Sequence, residues 1–222
     1  MTIFDDHRDD ASPAVLSHFQ PMTGQPILAE LERYWRDLRG ARRLPVRSEV
    51  DPARIDAVLP YAFVIERVAQ GIARLRVTGQ KLNASLGMDA RGMPLSSFFT
   101  PAARPLLAAH LETVFDGPAL VDLPLTSARG LGRPLLTGRL MILPLLGSDG
   151  TVSRALGALL TDGMIGRAPR RFDIAPGEVR CEIISEMGRP RLALAAGQGG
   201  AGTQRKGPDA ARPDLRLVVS NG

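Results

Sequence analysis

Residues Ser85–Phe99, SLGMDARGMPLSSFF, decide the fold. Two glycines, Gly87 and Gly92, stand five residues apart, and the aromatic pair Phe98 and Phe99 follows them. Glycine tolerates left-handed backbone conformations, so Gly87 predicts the end of a short helix and Gly92 a second sharp turn. Only 5% of the chain is aromatic, yet two phenylalanines are placed directly after these turns. The stretch therefore predicts short segments that fold back over one face of a small sheet.

A β-hairpin is predicted immediately before this stretch. Phe63 and Ile65 alternate with polar or smaller residues, Gln70-Gly71 supplies a turn, and Leu75 and Val77 alternate with arginines. Leu82 and Leu86 then predict the short helix that Gly87 ends. The hairpin places two antiparallel strands beside the folded-back segments.

A longer helix and three more strands are predicted after it. Residues 100–117 form an amphipathic helix, with Thr100 as the N-cap and Pro101 in the first turn. Leu107, Leu111 and Val114, with Phe115, make its apolar face. Strand-like runs cover residues 120–127, 134–145 and 153–161, separated by the loops ARGLGR and GSDG. The chain is thus predicted to be α+β, with a five-stranded antiparallel sheet and helices on one face.

An amphipathic N-terminal helix is predicted over residues 26–39. Its apolar residues recur at spacings of three and four: Ile27, Leu31, Tyr34, Trp35 and Leu38. Pro26 suits a first helical turn, and Gly40 stands just past the end. Because the stripe holds the only tryptophan, it must pack on the chain's own sheet or on a second copy of the protein.

Length, composition and charge limit the classes of protein to which this chain can belong. The 222 residues suffice for one domain with extensions, and no apolar run approaches the ~20 residues of a membrane helix. A polar, acidic start and a single cysteine, Cys181, predict a cytoplasmic protein without disulfides. The charge of +5 permits nucleic-acid binding, for which the dense group Arg36, Arg39, Arg42 and Arg43 and the basic tail are the candidates. Arginine is otherwise scattered, so this partner is disfavoured.

The order of these elements resembles a PAS domain. In that family a short helix after the second strand ends at a glycine, and a second glycine, a phenylalanine-containing run and the long connecting helix follow. Residues 85–117 resemble this order piece by piece. The chain also resembles a bacterial family of small stand-alone PAS proteins formerly catalogued as a domain of unknown function. That resemblance rests on the tryptophan helix, Leu44–Arg47, Asp51-Pro52, Ile65–Arg67 and Thr78-Gly79, and departs at Gln80 and in the long tail.

The resemblance implies a sensory or regulatory fold without an attached output domain. We expect residues 1–25 to be a mobile arm, residues 26–165 the PAS domain, and residues 166–222 an extension with a Gly/Ala/Arg-rich, largely disordered tail. Within that extension, EVRCEII and LRLVVS could each add a strand or dock on a partner.

A cup between sheet and helices is the candidate ligand pocket. Its expected lining is Phe63, Ile65, Leu75, Val77, Leu82, Leu86, Phe98, His110, Leu140 and Leu159. Gly138 and Gly157, on presumed central strands, leave room for a small apolar ligand, or let the helices approach more closely. Every one of the apolar candidates also fits a plain core.

No catalytic or metal constellation is evident. The sequence pairs no nucleophile with a base, and no His/Cys/Asp/Glu spacing indicates a metal site. His110 is a possible axial haem ligand, since haem-binding PAS domains take a proximal histidine from the long helix, but a half-solvated histidine explains it as well. We therefore expect no cofactor and a non-catalytic regulatory module that acts through protein contacts, as a homodimer joined by the tryptophan helix. A haem sensor and a nucleic-acid-associated factor are the alternatives.

Overall fold

The computed structural model describes residues 25–184 and the backbone of residues 191–192. Residues 1–24 of the predicted arm, residues 185–190 and the tail after residue 192, including LRLVVS, lie outside the described residues. The α-helices are α1 (Gln25–Arg39), α2 (Gln80–Leu86) and α3 (Arg104–Asp116). The strands are β1 (Ala62–Ala69), β2 (Ile72–Thr78), β3 (Ala119–Ser127), β4 (Leu136–Leu145), β5 (Arg154–Asp162), β6 (Asp173–Ile174), β7 (Arg180–Ile183) and β8 (Arg191–Leu192).

All strands belong to one antiparallel sheet in the order β2-β1-β5-β4-β3-β7-β8, with β6 also paired to β3. The five predicted strands and their antiparallel pairing are confirmed, and the α+β class with them. The sheet continues past residue 165, because EVRCEII supplies β7 on the outer edge of β3. Pro124 divides that edge: β7 pairs with Ala119–Asp122, and β6 pairs with Leu125 and Thr126.

The two glycines of the deciding stretch both adopt left-handed conformations. Gly87 has φ 76° and caps α2, and Gly92 has φ 80°. The turn at Gly92 lays the following backbone along the free edge of β2, where Leu75 N–H donates to Met93 O at 2.9 Å and Gly92 N–H donates to Leu75 O at 2.8 Å. Phe98 and Phe99 then enter the core, fully buried. The stretch thus covers a sheet edge as well as a sheet face.

Helix α3 begins later than the sequence predicted. Ala103 occupies the N-cap position, and Pro105 lies in the first turn. Thr100 caps the turn that precedes the helix instead, because its hydroxyl accepts from Ala103 N–H at 3.3 Å and donates to Asp173. The N-cap prediction for Thr100 was therefore wrong by one turn.

Both faces of the central strands are buried. Along β4, Leu140 and Ile142 point toward α2 and α3, whereas Met141 and Leu143 point toward α1. This alternation is that of a strand, with apolar side chains on both faces. The helices α2 and α3 share one face of the sheet, as predicted, and α1 covers the opposite face.

Candidate functional site

The cup between the sheet and helices α2 and α3 is a continuous buried cluster, here called the cup cluster. It contains eight of the ten predicted pocket residues: Phe63, Ile65, Leu75, Leu82, Leu86, Phe98, Leu140 and Leu159. All eight are 5% exposed or less. These side chains therefore share one buried cluster, and their role in ligand binding stays a prediction.

Val77 does not face the cup, and this prediction was wrong. The register of the β1–β2 pair shifts by one residue between Val64 and Ile65. Val64 pairs with Val77 and Ile65 pairs with Leu75, so Arg76 has no partner residue on β1. A bulge of this kind breaks the alternation of side chains along a strand. Val77 pairs with Val64, whose side chain belongs to the α1 face, and is 47% exposed. The sequence pattern LRVT gives no sign of the bulge.

The space left by the strand glycine is filled by an aromatic ring. A Cβ atom at Gly157 would lie 2.4 Å from Cζ of Phe63, which is its partner across the β1–β5 pair. The groups that approach Gly157 most closely belong to the neighbouring strands and not to a helix. The cup at this point is packed core.

His110 lies on α3, half-buried, where burial lowers the pKa of its imidazole below the ordinary value. The structure gives it no hydrogen-bond or ion-pair partner among the described residues. Leu106, one turn earlier on the same stripe, is 50% exposed, so this stripe leaves the core toward solvent. Its role as a haem ligand stays a prediction. No group of three or more possible metal-ligating side chains occurs among the described residues.

Helix α1 packs on its own sheet. Trp35 is buried against β4 and donates from its indole Nε1–H to Pro144 O at 3.0 Å. Tyr34 accepts from Asp51 N–H at 2.7 Å. The five predicted dimer-helix residues, Ile27, Leu31, Tyr34, Trp35 and Leu38, all pack in one cluster with side chains of β1, β4 and β5, here called the α1 cluster. Of the two partners open to this stripe, the structure shows the chain's own sheet.

A charged network joins α1 to the added strand β7. Glu32 pairs with Arg36 at 2.7 Å and with Arg180 at 2.5 Å, and Arg36 also pairs with Glu182 at 2.9 Å. Burial raises the pKa of the Glu32 carboxyl, but hydrogen bonds from Arg180 and Arg36 outweigh it and leave that pKa lowered. Two members of the network, Glu32 and Arg180, line a cleft of about 340 Å³.

Several members of the dense arginine group at the end of α1 and just after it contact other residues of the fold. Arg36 pairs with two carboxylates, and Arg42 pairs with Glu49 at 2.7 Å. The Arg39 guanidinium lies 5.9 Å from the centre of the Trp35 ring, within the range of a cation–π contact. Two of the four arginines, Arg36 and Arg42, are thus paired with carboxylates of the fold, which lowers the net positive charge that this group offers to a phosphate backbone.

A second cleft, of about 420 Å³, was missed by the sequence analysis. It lies between the β3–β4 loop and residues 169–173, and four arginines line it: Arg129, Arg133, Arg170 and Arg171. The four are about 40 residues apart in two groups, so no local sequence pattern brings them together. Only the sheet pairing of β3 and the return of the chain after β5 do so.

Together the buried cup cluster and the sheet covered on both faces define a small α+β domain. A family model described as a PAS domain matches residues 23–160, well over half of the chain. The chain therefore belongs to the PAS domain family, whose members are sensory and regulatory modules. No curated protein matches the chain. No helix among the described residues is both long and apolar enough to cross a membrane.

Proposed function

We propose that this PAS domain is a non-catalytic regulatory module that acts through protein contacts, with its cup serving as core rather than as a ligand cavity. The observation that carries the proposal is the ring of Phe63 over Gly157. A cup packed as densely as a protein interior leaves little room for a ligand, so the proposed regulation would act through the surface of the domain.

Leucine truncations test whether the cup is core. Leu140→Ala and Leu159→Ala should each lower the free energy of unfolding by about 2–5 kcal/mol, because each leaves a cavity in a packed interior. Leu131→Ala is the matched control, since Leu131 is 91% exposed and its truncation should change stability by less than about 0.5 kcal/mol. An apolar ligand cavity would instead tolerate the two cup truncations with little loss in the ligand-free protein.

The proposed contacts include a homodimer formed through the outer face of the β1–β2 hairpin. Ile72 and Val77 lie on the face of β2 that points away from the cup, and each is nearly half exposed. Val68, at the end of β1, is 45% exposed on the same hairpin. Neighbouring exposed apolar side chains on a small domain are typical of an interaction surface.

Light scattering of the full chain tests the dimer. We expect a concentration-dependent dimer mass that falls to the monomer mass in the double variant Ile72→Glu/Val77→Glu. Met88→Glu is the control, since Met88 is 58% exposed but lies after α2, away from the hairpin. A monomer mass for the unaltered chain at every concentration would reject the homodimer and leave the packed cup standing.

A further inference from the structure

The cleft lined by Arg129, Arg133, Arg170 and Arg171, here called the arginine cleft, concentrates positive charge. Asp173 is the one acidic residue in its lining, and its carboxylate already accepts a hydrogen bond from the Thr100 hydroxyl. The cleft therefore carries a formal net charge of +3 on its lining residues. Charge of one sign in a concave surface raises the local concentration of oppositely charged ligands.

Arg170 is the most unusual member, because its side chain is fully buried without a counter-ion. Its guanidinium donates to Ser127 Oγ at 3.2 Å, to Ile165 O at 3.0 Å and to Pro134 O at 2.7 Å. All of these acceptors are neutral. By contrast the Arg139 side chain, which is 12% exposed, pairs with Asp122 at 2.9 Å. A buried charge is costly without a partner of opposite sign, so Arg170 leaves the cleft electrostatically incomplete.

The three other arginines likewise lack carboxylate partners within the described part of the chain. Arg133 Nε–H donates to Arg167 O at 3.1 Å, and Arg171 donates to Ser97 O. Arg129 is exposed. Loss of hydration lowers the pKa of the Arg170 guanidinium, and repulsion from Arg133 lowers it further. An anion bound between these side chains would offset that repulsion.

The backbone around the cleft is held in place before any ligand binds. Gly130 N–H donates to Arg133 O at 2.8 Å, and Arg133 N–H returns a bond to Gly130 O at 2.9 Å. Arg167 N–H donates to Gly132 O at 2.7 Å, which ties this turn to the segment after β5. Binding therefore costs little ordering of the loop.

We propose that the arginine cleft binds a small ligand through an oxyanion group, a phosphate or a carboxylate. The planar guanidinium fork matches the spacing of oxygens in both groups, and the volume lies in the range of small-molecule sites. Exposed Met164 lines an adjoining cleft that shares Arg129 and Arg133, so an apolar part of the ligand can rest there. The inference goes beyond the proposed function and requires neither the dimer nor the packed cup.

Calorimetric titration of the full chain with pyrophosphate and with citrate, at fixed ionic strength, tests the proposal. We expect saturable binding of at least one of the two anions, with the preferred one identifying the phosphate or the carboxylate as the group recognised. The double variant Arg129→Gln/Arg133→Gln should weaken that binding by about tenfold or more, since two charge-assisted hydrogen bonds are lost. Its thermal unfolding should match the unaltered chain, because Arg129 is exposed and Arg133 only half-buried.

Arg33→Gln is the matched control, an exposed arginine on α1, on the opposite face of the sheet. It should leave the affinity unchanged. The single variant Arg129→Gln provides a second test at an exposed position should the double variant unfold. Absence of saturation by both anions, or an equal loss of affinity in Arg33→Gln, would overturn the proposal in favour of non-specific charge attraction.

Discussion

The ring of Phe63 on β1 lies against the backbone of Gly157 on β5, where any side chain would meet it. A Cβ atom at Gly157 would lie 2.4 Å from Phe63 Cζ and 2.4 Å from Met141 O on the other neighbouring strand. Phe63 is fully buried, so a shift of its ring would disturb the surrounding core. Because of this contact, a residue larger than glycine does not fit at position 157 without a shift of the core.

Gly157→Ala should therefore destabilise the fold. We expect the free energy of unfolding in urea to fall by about 1–3 kcal/mol, the usual cost of overpacking a dense interior. Gly130→Ala is the control, because a Cβ atom there meets nothing closer than 3.9 Å. Equal stability of the two variants would mean that the core around Phe63 has room to adjust.

The indole hydrogen bond of Trp35 gives a second stability prediction. Trp35→Phe keeps an aromatic ring in the α1 cluster but leaves the buried Pro144 carbonyl without its donor at 3.0 Å. An unsatisfied buried carbonyl costs about 1–3 kcal/mol, which denaturant unfolding would measure. Arg33→Ala, on the exposed side of the same helix, should change stability by less than about 0.5 kcal/mol. A cost no larger than that of the control would show that water replaces the indole as donor.

The fold was predictable from sequence where local chemistry acts alone. The helix end at Gly87 and the hairpin turn at Gly71 follow from backbone conformation, and the apolar stripe of α1 follows from the period of its apolar residues. The bulge that turns Val77 outward was not predictable, because it depends on how β1 and β2 pair rather than on the sequence of β2.

The candidate sites divide in the same way. The sequence assigned ten residues to the cup, and eight of them lie in the cup cluster, since alternation largely determines which face a side chain occupies. Whether that cup is hollow depends on tertiary packing, and no periodicity encodes the position of the Phe63 ring. The arginine cleft could not be predicted from sequence for a related reason. Arg129 and Arg170 are distant in sequence, and only the folding of the chain around β3 and after β5 brings them to one cleft.

The Glu32 network predicts a pH dependence of stability. The pKa of Glu32 lies below its ordinary value of 4.5 in the fold, so its charged form is favoured in the native state. The stabilisation is complete above pH 4.5 and is lost as the pH falls through the lower, native pKa. The difference in unfolding free energy between the unaltered chain and Glu32→Gln should therefore shrink as the pH is lowered through that window. A difference that stays constant with pH would contradict the pairing of Glu32 with Arg36 and Arg180.

An absorption spectrum distinguishes the regulatory module from a haem sensor. Buried side chains of the cup cluster lie between α3 and the sheet, so a haem that entered the cup would have to displace some of them. We expect protein incubated with haemin and then desalted to show no Soret band beyond that of His110→Ala. A band that the unaltered chain retains and His110→Ala loses would establish the haem alternative.

Because α1 packs on its own sheet, deletion of this helix should affect the stability of the fold and not only the oligomeric state. If the tryptophan helix joined two copies, deletion of residues 1–40 would yield a folded monomer. In the structure, deletion removes Leu28, Leu31 and Trp35 from a cluster that they share with Met141 and Leu143 of β4.

The deletion uncovers a face of the central sheet, and apolar surface contributes roughly 25 cal/mol per Å² when buried. We therefore expect the chain lacking residues 1–40 to aggregate or to lose cooperative unfolding. Deletion of residues 1–22, which ends before the family match and before α1, is the matched control and should leave the oligomeric state and the stability unchanged. A soluble, cooperatively folding monomer from the longer deletion would show that α1 is dispensable to the fold and would restore it as the dimer contact. Light scattering and thermal unfolding, measured on the same two samples, separate these outcomes.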